Sequence, residues 1–424
     1  MKMTLAQKIL QGHTHDEITE AGQIVSCRVS MVLANDVTAP MAISSMLEMG
    51  ADQVFDKDKV ALVMDHFTPQ KDIASAMQVK FTRESARNRR ITHYYEGGNC
   101  GVEHALLPEL GLVGPGDIVV GADSHTCTYG GLGAFATGLG STDVAGAMAL
   151  GETWFKVPPT IKVTFNGKMP RWVSGKDLVL WLIGEIGVDG ALYKALEFHG
   201  PVVDGMSVEA RMTVANMAIE AGGKCGLFAA DARTLEYTKA AGRVGDKQIA
   251  ADPGAEYENE INFDVSALTP LVACPHLPEN VHPVDEVRDV RLDQVVIGSC
   301  TNGRISDLRE AAEILKGRQV DRNVRCIVLP ATPGIWKQAL DEGLIGTFMD
   351  SGCIVGPATC GPCLGGHMGI LADGEKALAT TNRNFRGRMG SLESEVYLSN
   401  PAVAAASAIA GGIIDPANIQ RFTP

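Results

Sequence analysis

Residues 295–303 read Val295-Val296-Ile297-Gly298-Ser299-Cys300-Thr301-Asn302-Gly303, a short, continuously apolar run closed by a glycine turn that presents a thiol. A run of this length with no polar alternation is what a strand covered on both faces looks like, and helix-period residues follow over 306–315. The same punctuation recurs at Val60-Ala61-Leu62-Val63-Met64, followed by a helical stretch over 72–86, at Ile118-Val119-Val120 and at Cys326-Ile327-Val328-Leu329. The pattern is that of an α/β fold with buried, mostly parallel strands. Ligands of such sheets bind beyond the carboxyl ends of the strands, which is where Cys300 falls.

At roughly 150 residues per domain, a chain of 424 residues has room for two to four cores. Val157-Pro158-Pro159-Thr160 precedes a strand-like Ile161-Lys162-Val163-Thr164-Phe165 with an Asn166-Gly167 turn, and prolines cluster over 275–283. Three units are therefore expected, over 1–160, 161–284 and 285–424. A net charge of −13, from 37 Lys plus Arg against 50 Asp plus Glu, repels phosphate backbones and anionic membrane surfaces, so neither nucleic acid nor membrane is an expected partner. No apolar run reaches the ~18 residues that span a bilayer, and the Ala- and Gly-rich stretch 401–414 reads as a buried helix. Residues 1–10 lack a hydrophobic signal core, which makes the cytoplasm the expected location. In that reducing compartment the ten cysteines are to be read for metal binding or catalysis rather than disulfides.

Three groups of residues carry chemistry. The first is Thr359-Cys360-Gly361-Pro362-Cys363-Leu364-Gly365, a Cys-x-x-Cys in a Gly/Pro turn, which with Cys300 offers three thiolates. Three thiolates suit an iron–sulfur cubane with one open iron acting as a Lewis acid; a structural zinc with His367 as fourth ligand fits the spacing equally. The remaining cysteines have no partner at ligand spacing and read as buried bystanders. The second group is Asp65-His66, His104 and Asp123-Ser124-His125-Thr126, at turns or strand ends. A carboxylate near an imidazole fixes its tautomer and raises its basicity, as proton transfer requires. The third is Thr381-Asn382-Arg383-Asn384-Phe385-Arg386-Gly387-Arg388, whose guanidinium forks suit carboxylates, although a solvated charged face would look the same.

Taken in order, these motifs resemble the aconitase superfamily, and within it the free-standing large subunits of the isopropylmalate dehydratase and homoaconitase type. The resemblance covers essentially the whole chain, through Arg28-Val29-Ser30-Met31, Asn35-Asp36-Val37-Thr38-Ala39, Leu107-Pro108-Glu109, Gly140-Ser141-Thr142-Asp143, Phe198-His199-Gly200-Pro201 and Asn216-Met217-Ala218-Ile219-Glu220 besides the three groups above. It departs at Val102-Glu103-His104-Ala105, where Cys-His-Gln is common in the family; the histidine is kept but its neighbours differ.

The resemblance implies three α/β/α domains around a cluster-binding cleft. It also implies a [4Fe-4S] cluster held by Cys300, Cys360 and Cys363, with one iron not ligated by cysteine. It pairs Asp65 with His66, Asp123 with His104 and Glu220 with His125. It assigns Asn35, Ser124, Arg383 and Arg388 to substrate, and Asn216, Asn302 and Asn382 to the surroundings of the cluster. The swivelling fourth domain that carries the carbon-acid base of single-chain relatives is missing, so a separate small subunit is the expected partner and a small di- or tricarboxylate the expected substrate. The implied activity is a hydro-lyase that isomerises 2-isopropylmalate to 3-isopropylmalate in leucine biosynthesis. Homoaconitase and a citraconate, maleate or dimethylmalate hydratase are the same chemistry on other side chains. An RNA-binding regulator is disfavoured by the charge, and a zinc-stabilised scaffold would have to be colourless.

Overall fold

The structure is a computed structural model that describes residues 2–422. Contacts divide the chain into two compact units. The first takes residues up to Asn99, Leu106–Gly167 and Ala191–Phe263; the second takes Cys100–Ala105, Lys168–Gly190 and the chain from Asp264 onward.

In the first unit the apolar runs Met31–Asn35, Val60–Val63 and Ile118–Gly121 are buried along their whole length, which is why they read as uninterrupted hydrophobic segments. They form a wholly parallel five-stranded sheet in the order His93–Tyr95, Val60–Val63, Met31–Asn35, Ile118–Gly121, Phe135–Gly138. The chain starts in the middle, adds two strands on one side and then returns to add two on the other. The reversal falls between Met31–Asn35 and Ile118–Gly121. The helix Ile73–Arg89 belongs to this sheet's crossovers; it starts at Asp72, whose carboxylate accepts from the Ser75 amide at 2.7 Å, and ends at Arg90 in the left-handed conformation. A four-stranded sheet in the order Cys225–Phe228, Ala195–His199, Thr160–Asn166, Asn259–Asp264 completes the unit, with an antiparallel pair of Ile24–Arg28 and Glu152–Lys156.

The second unit holds a seven-stranded sheet. Its parallel part runs Ile354–Val355, Arg325–Val328, Gln294–Ile297, Lys376–Ala379, Glu395–Leu398, and the short strands Leu271–Ala273 and Val281–Pro283 extend it antiparallel. Within the parallel part the chain starts at the middle strand, Gln294–Ile297, and the order reverses between it and Lys376–Ala379. The helix Pro401–Ala410 is buried on every side, as its Ala-rich sequence requires of an element without a polar face. Among the described residues no helix is long and apolar enough to cross a membrane.

Candidate active site

In the first unit the functional side chains stand at the carboxyl ends of the central strands. Asn35 closes the strand Met31–Asn35 with an Asx turn, its Oδ1 accepting from the amides of Val37 at 3.0 Å and Thr38 at 3.1 Å. The next residue, Asp36, is fully buried and accepts from the amides of His66 at 3.0 Å and Phe67 at 2.8 Å. Asp36 thereby anchors the turn that carries His66. Burial raises its carboxyl above the ordinary range, with Asp65 adding to the effect, while His66 and the two amides pull the other way.

His66 Nδ1 lies 2.6 Å from Asp65 Oδ1, and its Nε2 points toward Asp123, 3.8 Å from Oδ2. The ring is thus clamped on one nitrogen and directed at a second carboxylate with the other. Asp123 caps the following 3-10 helix Ser124–Leu132 by accepting from the His125 amide at 2.7 Å. His125 Nε2 lies 2.7 Å from Glu220 Oε1, with both residues buried. Asn216 is buried against the same helix, its amide donating to Thr128 Oγ1 at 2.8 Å. Asp65, His66, Asp123, Ser124, His125, Glu220, Asn35 and Asn216 therefore all belong to the first unit.

The second unit brings the thiols and the cationic segment together. After Gln294–Ile297 the chain turns at Gly298, with φ 147°, and Ser299, with φ 76°, into the short helix Ser299–Asn302. A Cβ at residue 298 would lie 2.5 Å from the carbonyl oxygen of Leu329, so only glycine fits there. Ser299 in the left-handed region marks backbone held under strain directly before Cys300. Cys300 shares a small apolar cluster with Val102, Ala105 and Ala331, so the segment that carries His104 packs beside it. Within that segment His104 Nε2 is 3.6 Å from Glu103 Oε1, both buried. His104 and Asp123, which the family resemblance pairs, belong to different units.

Cys360 and Cys363 follow the strand Ile354–Val355, with the Cys363 amide donating to the Cys360 carbonyl at 2.9 Å. Asn382, just past the strand Lys376–Ala379 that pairs with Gln294–Ile297, links two of the thiols. Its Nδ2 donates to Cys300 Sγ at 3.3 Å and to Thr301 Oγ1 at 3.1 Å, and its Oδ1 lies 3.5 Å from Cys363 Sγ. Arg388 Nη2 is 3.7 Å from Cys363 Sγ, and Arg383 is half-buried on the same segment. The side chain of Asn302 donates to Asp307 at 2.8 Å. No disulfide joins the ten cysteines.

This donor set fits an iron–sulfur cluster. Three buried sulfurs follow strands of one sheet, with the Asn382 amide donating to that of Cys300 and the Arg388 guanidinium facing that of Cys363, donors of the kind thiolate ligands take. Two further buried polar atoms of the same segments, Asn302 Oδ1 and Thr381 Oγ1, find no hydrogen-bond partner among the described residues. His367, the zinc ligand that the spacing allowed, has its Nε2 3.2 Å from Thr359 Oγ1.

The profile of the aconitase family (aconitate hydratase) matches residues 7–291 and 285–411. The chain belongs to the aconitase family. Membership implies an iron–sulfur cluster. The 3-isopropylmalate dehydratase large subunit of Nitratidesulfovibrio vulgaris (strain Miyazaki F) is 78% identical over 419 residues, 99% of this chain and 100% of that one. The subunit of the same name from Oleidesulfovibrio alaskensis is 78% identical over 416 residues, 98% and 99% of the two chains. Among solved structures, the holo-form of Thermococcus kodakaraensis aconitase X shares the fold with a TM-score of 0.51 at 15% identity, over 84% of each chain.

Two residues that motif reading passed over emerge from the geometry. Asp36 was visible only as part of a family motif, because its role depends on the His66 turn thirty positions on. Lys176 is wholly buried, and its ammonium donates to the carbonyls of Thr380, at 3.0 Å, and Thr381. Burial brings it down to about 7, while Asp177 and the thiols of Cys363 and Cys300 act in the opposite sense. A lysine beginning an ordinary amphipathic helix gives no sequence signal of this kind.

Proposed function

We propose that this chain is the large, cluster-binding subunit of a hydro-lyase that converts 2-isopropylmalate to 3-isopropylmalate by dehydration and rehydration, in leucine biosynthesis. The observation that carries the reading is identity of 78% along the full length of dehydratase large subunits, together with the thiol and acid–imidazole groups described above. Cys300, Cys360 and Cys363 would hold a [4Fe-4S] cluster with one iron not ligated by cysteine. Such an iron supplies a Lewis acid for the substrate hydroxyl and carboxylate.

The remaining chemistry belongs to the protein. Expelling hydroxide needs a proton, and His66, whose Nδ1 is held by Asp65, would deliver one from Nε2. His125, held by Glu220, and His104, which the family resemblance pairs with Asp123, serve to orient water and substrate. Arg383 and Arg388 bind the carboxylate on which negative charge develops when the neighbouring carbon loses its proton. Asn35 and Ser124 complete the substrate contacts, and Asn216, Asn302 and Asn382 orient the cluster's surroundings. The base for the carbon acid is expected on a separate small subunit.

The test is to co-express the chain with that small subunit, reconstitute iron and sulfide anaerobically and follow the unsaturated acid formed. Turnover of isopropylmalate, with homocitrate and homoisocitrate inert, supports the reading. Turnover of the longer substrates alone overturns it in favour of homoaconitase.

A further inference from the structure

Lys176 breaks two local rules. It stands at the second position of the helix Gly175–Ile186, where the helix dipole disfavours a cation, and its ammonium is withdrawn from water altogether. Nothing in the helix itself rewards that placement. The capping of this terminus is done by Ser174 and Asp177, with the Ser174 side chain accepting from the Lys176 amide and the Asp177 carboxylate accepting from the Ser174 amide at 2.7 Å.

What the ammonium meets is the turn after Lys376–Ala379. It gathers the successive carbonyls of Thr380 and Thr381, and the next residue is Asn382. Thr380 also exchanges hydrogen bonds with the backbone of Gly298, its Oγ1 accepting from the amide at 2.9 Å and donating to the carbonyl at 3.0 Å. The cation therefore fixes the strand end that leads to Asn382, and Thr380 ties that end to Gly298, which leads to Cys300. Neutral carbonyls repay only part of the desolvation of an ammonium. The anions within its electrostatic reach are Asp177, Asp307 and, once deprotonated, Cys363 and Cys300.

We propose that Lys176 is a positioning residue of the cluster site: it pins the Thr380–Thr381 carbonyls, thereby holds the Asn382 amide against the sulfurs of Cys300 and Cys363, and offsets their charge from beneath. The inference rests on the reading of Cys300, Cys360 and Cys363 as cluster ligands. Lys176 itself touches neither substrate nor iron. Removing its charge leaves the reduced, more negative state of a cluster less stabilised, so the midpoint potential falls.

The experiment uses the full chain, reconstituted anaerobically with ferrous iron and sulfide, as wild type, Lys176→Met, Lys176→Gln and Glu185→Gln. Two quantities are read: iron and sulfide retained in competition with a chelator, and the midpoint potential of the bound cluster. Lys176→Met is expected to weaken retention about 10- to 100-fold, the range for lost outer-shell partners. Lys176→Gln keeps an amide donor without charge, folds if Met does not, and is expected to shift the potential to more negative values while holding more iron than Met. Glu185→Gln removes a charge from the exposed far end of the same helix and is expected to change neither quantity.

Wild-type retention and potential in both lysine variants would overturn the proposal, as would an equal shift in Glu185→Gln. A wild-type chain that takes up no cluster would overturn the reading of the cysteines, and with it this role for Lys176. That outcome is separable because it appears before any variant is compared.

Discussion

The five-stranded sheet of the first unit and the parallel part of the seven-stranded sheet of the second have the same strand plan. Each starts at its middle strand, grows to one side and then reverses. Each collects its reactive side chains at the carboxyl ends beside that reversal, where diverging loops leave space above the sheet. Yet one edge carries carboxylates and imidazoles, and the other carries thiols, amides and cations. Topology thus fixes where a site can be built, and only the residues in the loops decide its chemistry.

The means of support differ as well. At the first edge each ring is held by a carboxylate in direct contact, Asp65 on His66 and Glu220 on His125. At the second edge two sulfurs are each approached by a donor, Cys300 by the Asn382 amide and Cys363 by the Arg388 guanidinium. Imidazoles that move protons need a fixed tautomer, whereas thiolates need their charge neutralised.

Variants at the two edges should separate these roles. The largest effect is expected at the second edge: Cys300→Ser should abolish cluster retention and lower turnover of the reconstituted complex at least about 10³-fold, the worth of several kcal/mol of Lewis-acid stabilisation. Iron analysis alongside rates checks it, and full iron content would break the comparison. His66→Gln, at the first edge, should lower turnover by about 10²- to 10⁴-fold, the usual range for a general acid, while leaving iron and sulfide content at the wild-type level. A parallel loss of iron would show that the two edges are not chemically distinct.

The smallest effect concerns stability. Glu310, on the helix Ile305–Leu315 of the second unit, is raised to about 8 from the ordinary carboxylate value, first by burial and then by Asp307, Asp177 and Glu313. Its folded-state value lies above that of the unfolded chain. The folded state therefore keeps a proton that the unfolded state gives up, and stability falls as pH rises from about 4.5 to about 8. Glu310→Gln should raise the melting temperature by a few degrees at pH 8, with the gain shrinking toward pH 5. Melting curves across that range test the sign, and a gain independent of pH would refute it.

Much of this arrangement was legible in the sequence because it is written in local patterns. The runs 60–64, 118–120 and 295–297 coincide with buried strands at Val60–Val63, Ile118–Gly121 and Gln294–Ile297. The helical stretches over 72–86 and 306–315 correspond to Ile73–Arg89 and Ile305–Leu315. The strand order was not legible, since an apolar run does not say which neighbour it pairs with. The contact of Glu220 with His125 came only through the family resemblance, as the two residues are distant in the chain and joined by folding. The roles of Lys176 and Asp36 were illegible for a related reason: each acts on backbone groups of a remote turn, and backbone groups leave no trace in residue identity.

The 3-10 helix Ser124–Leu132, described above for His125, carries one further consequence. A Cβ at Gly130 would overlap the carbonyl oxygen of Gly226, and one at Gly131 would lie 2.5 Å from the amide nitrogen of Met212. Both obstacles are backbone, which cannot swing aside as a side chain can. Every amino acid other than glycine adds at least that carbon, so no codon change at these positions is mild, and each would lever His125 away from Glu220. In a survey of all single substitutions, the steepest intolerance in this unit should therefore fall on residues with no chemistry of their own.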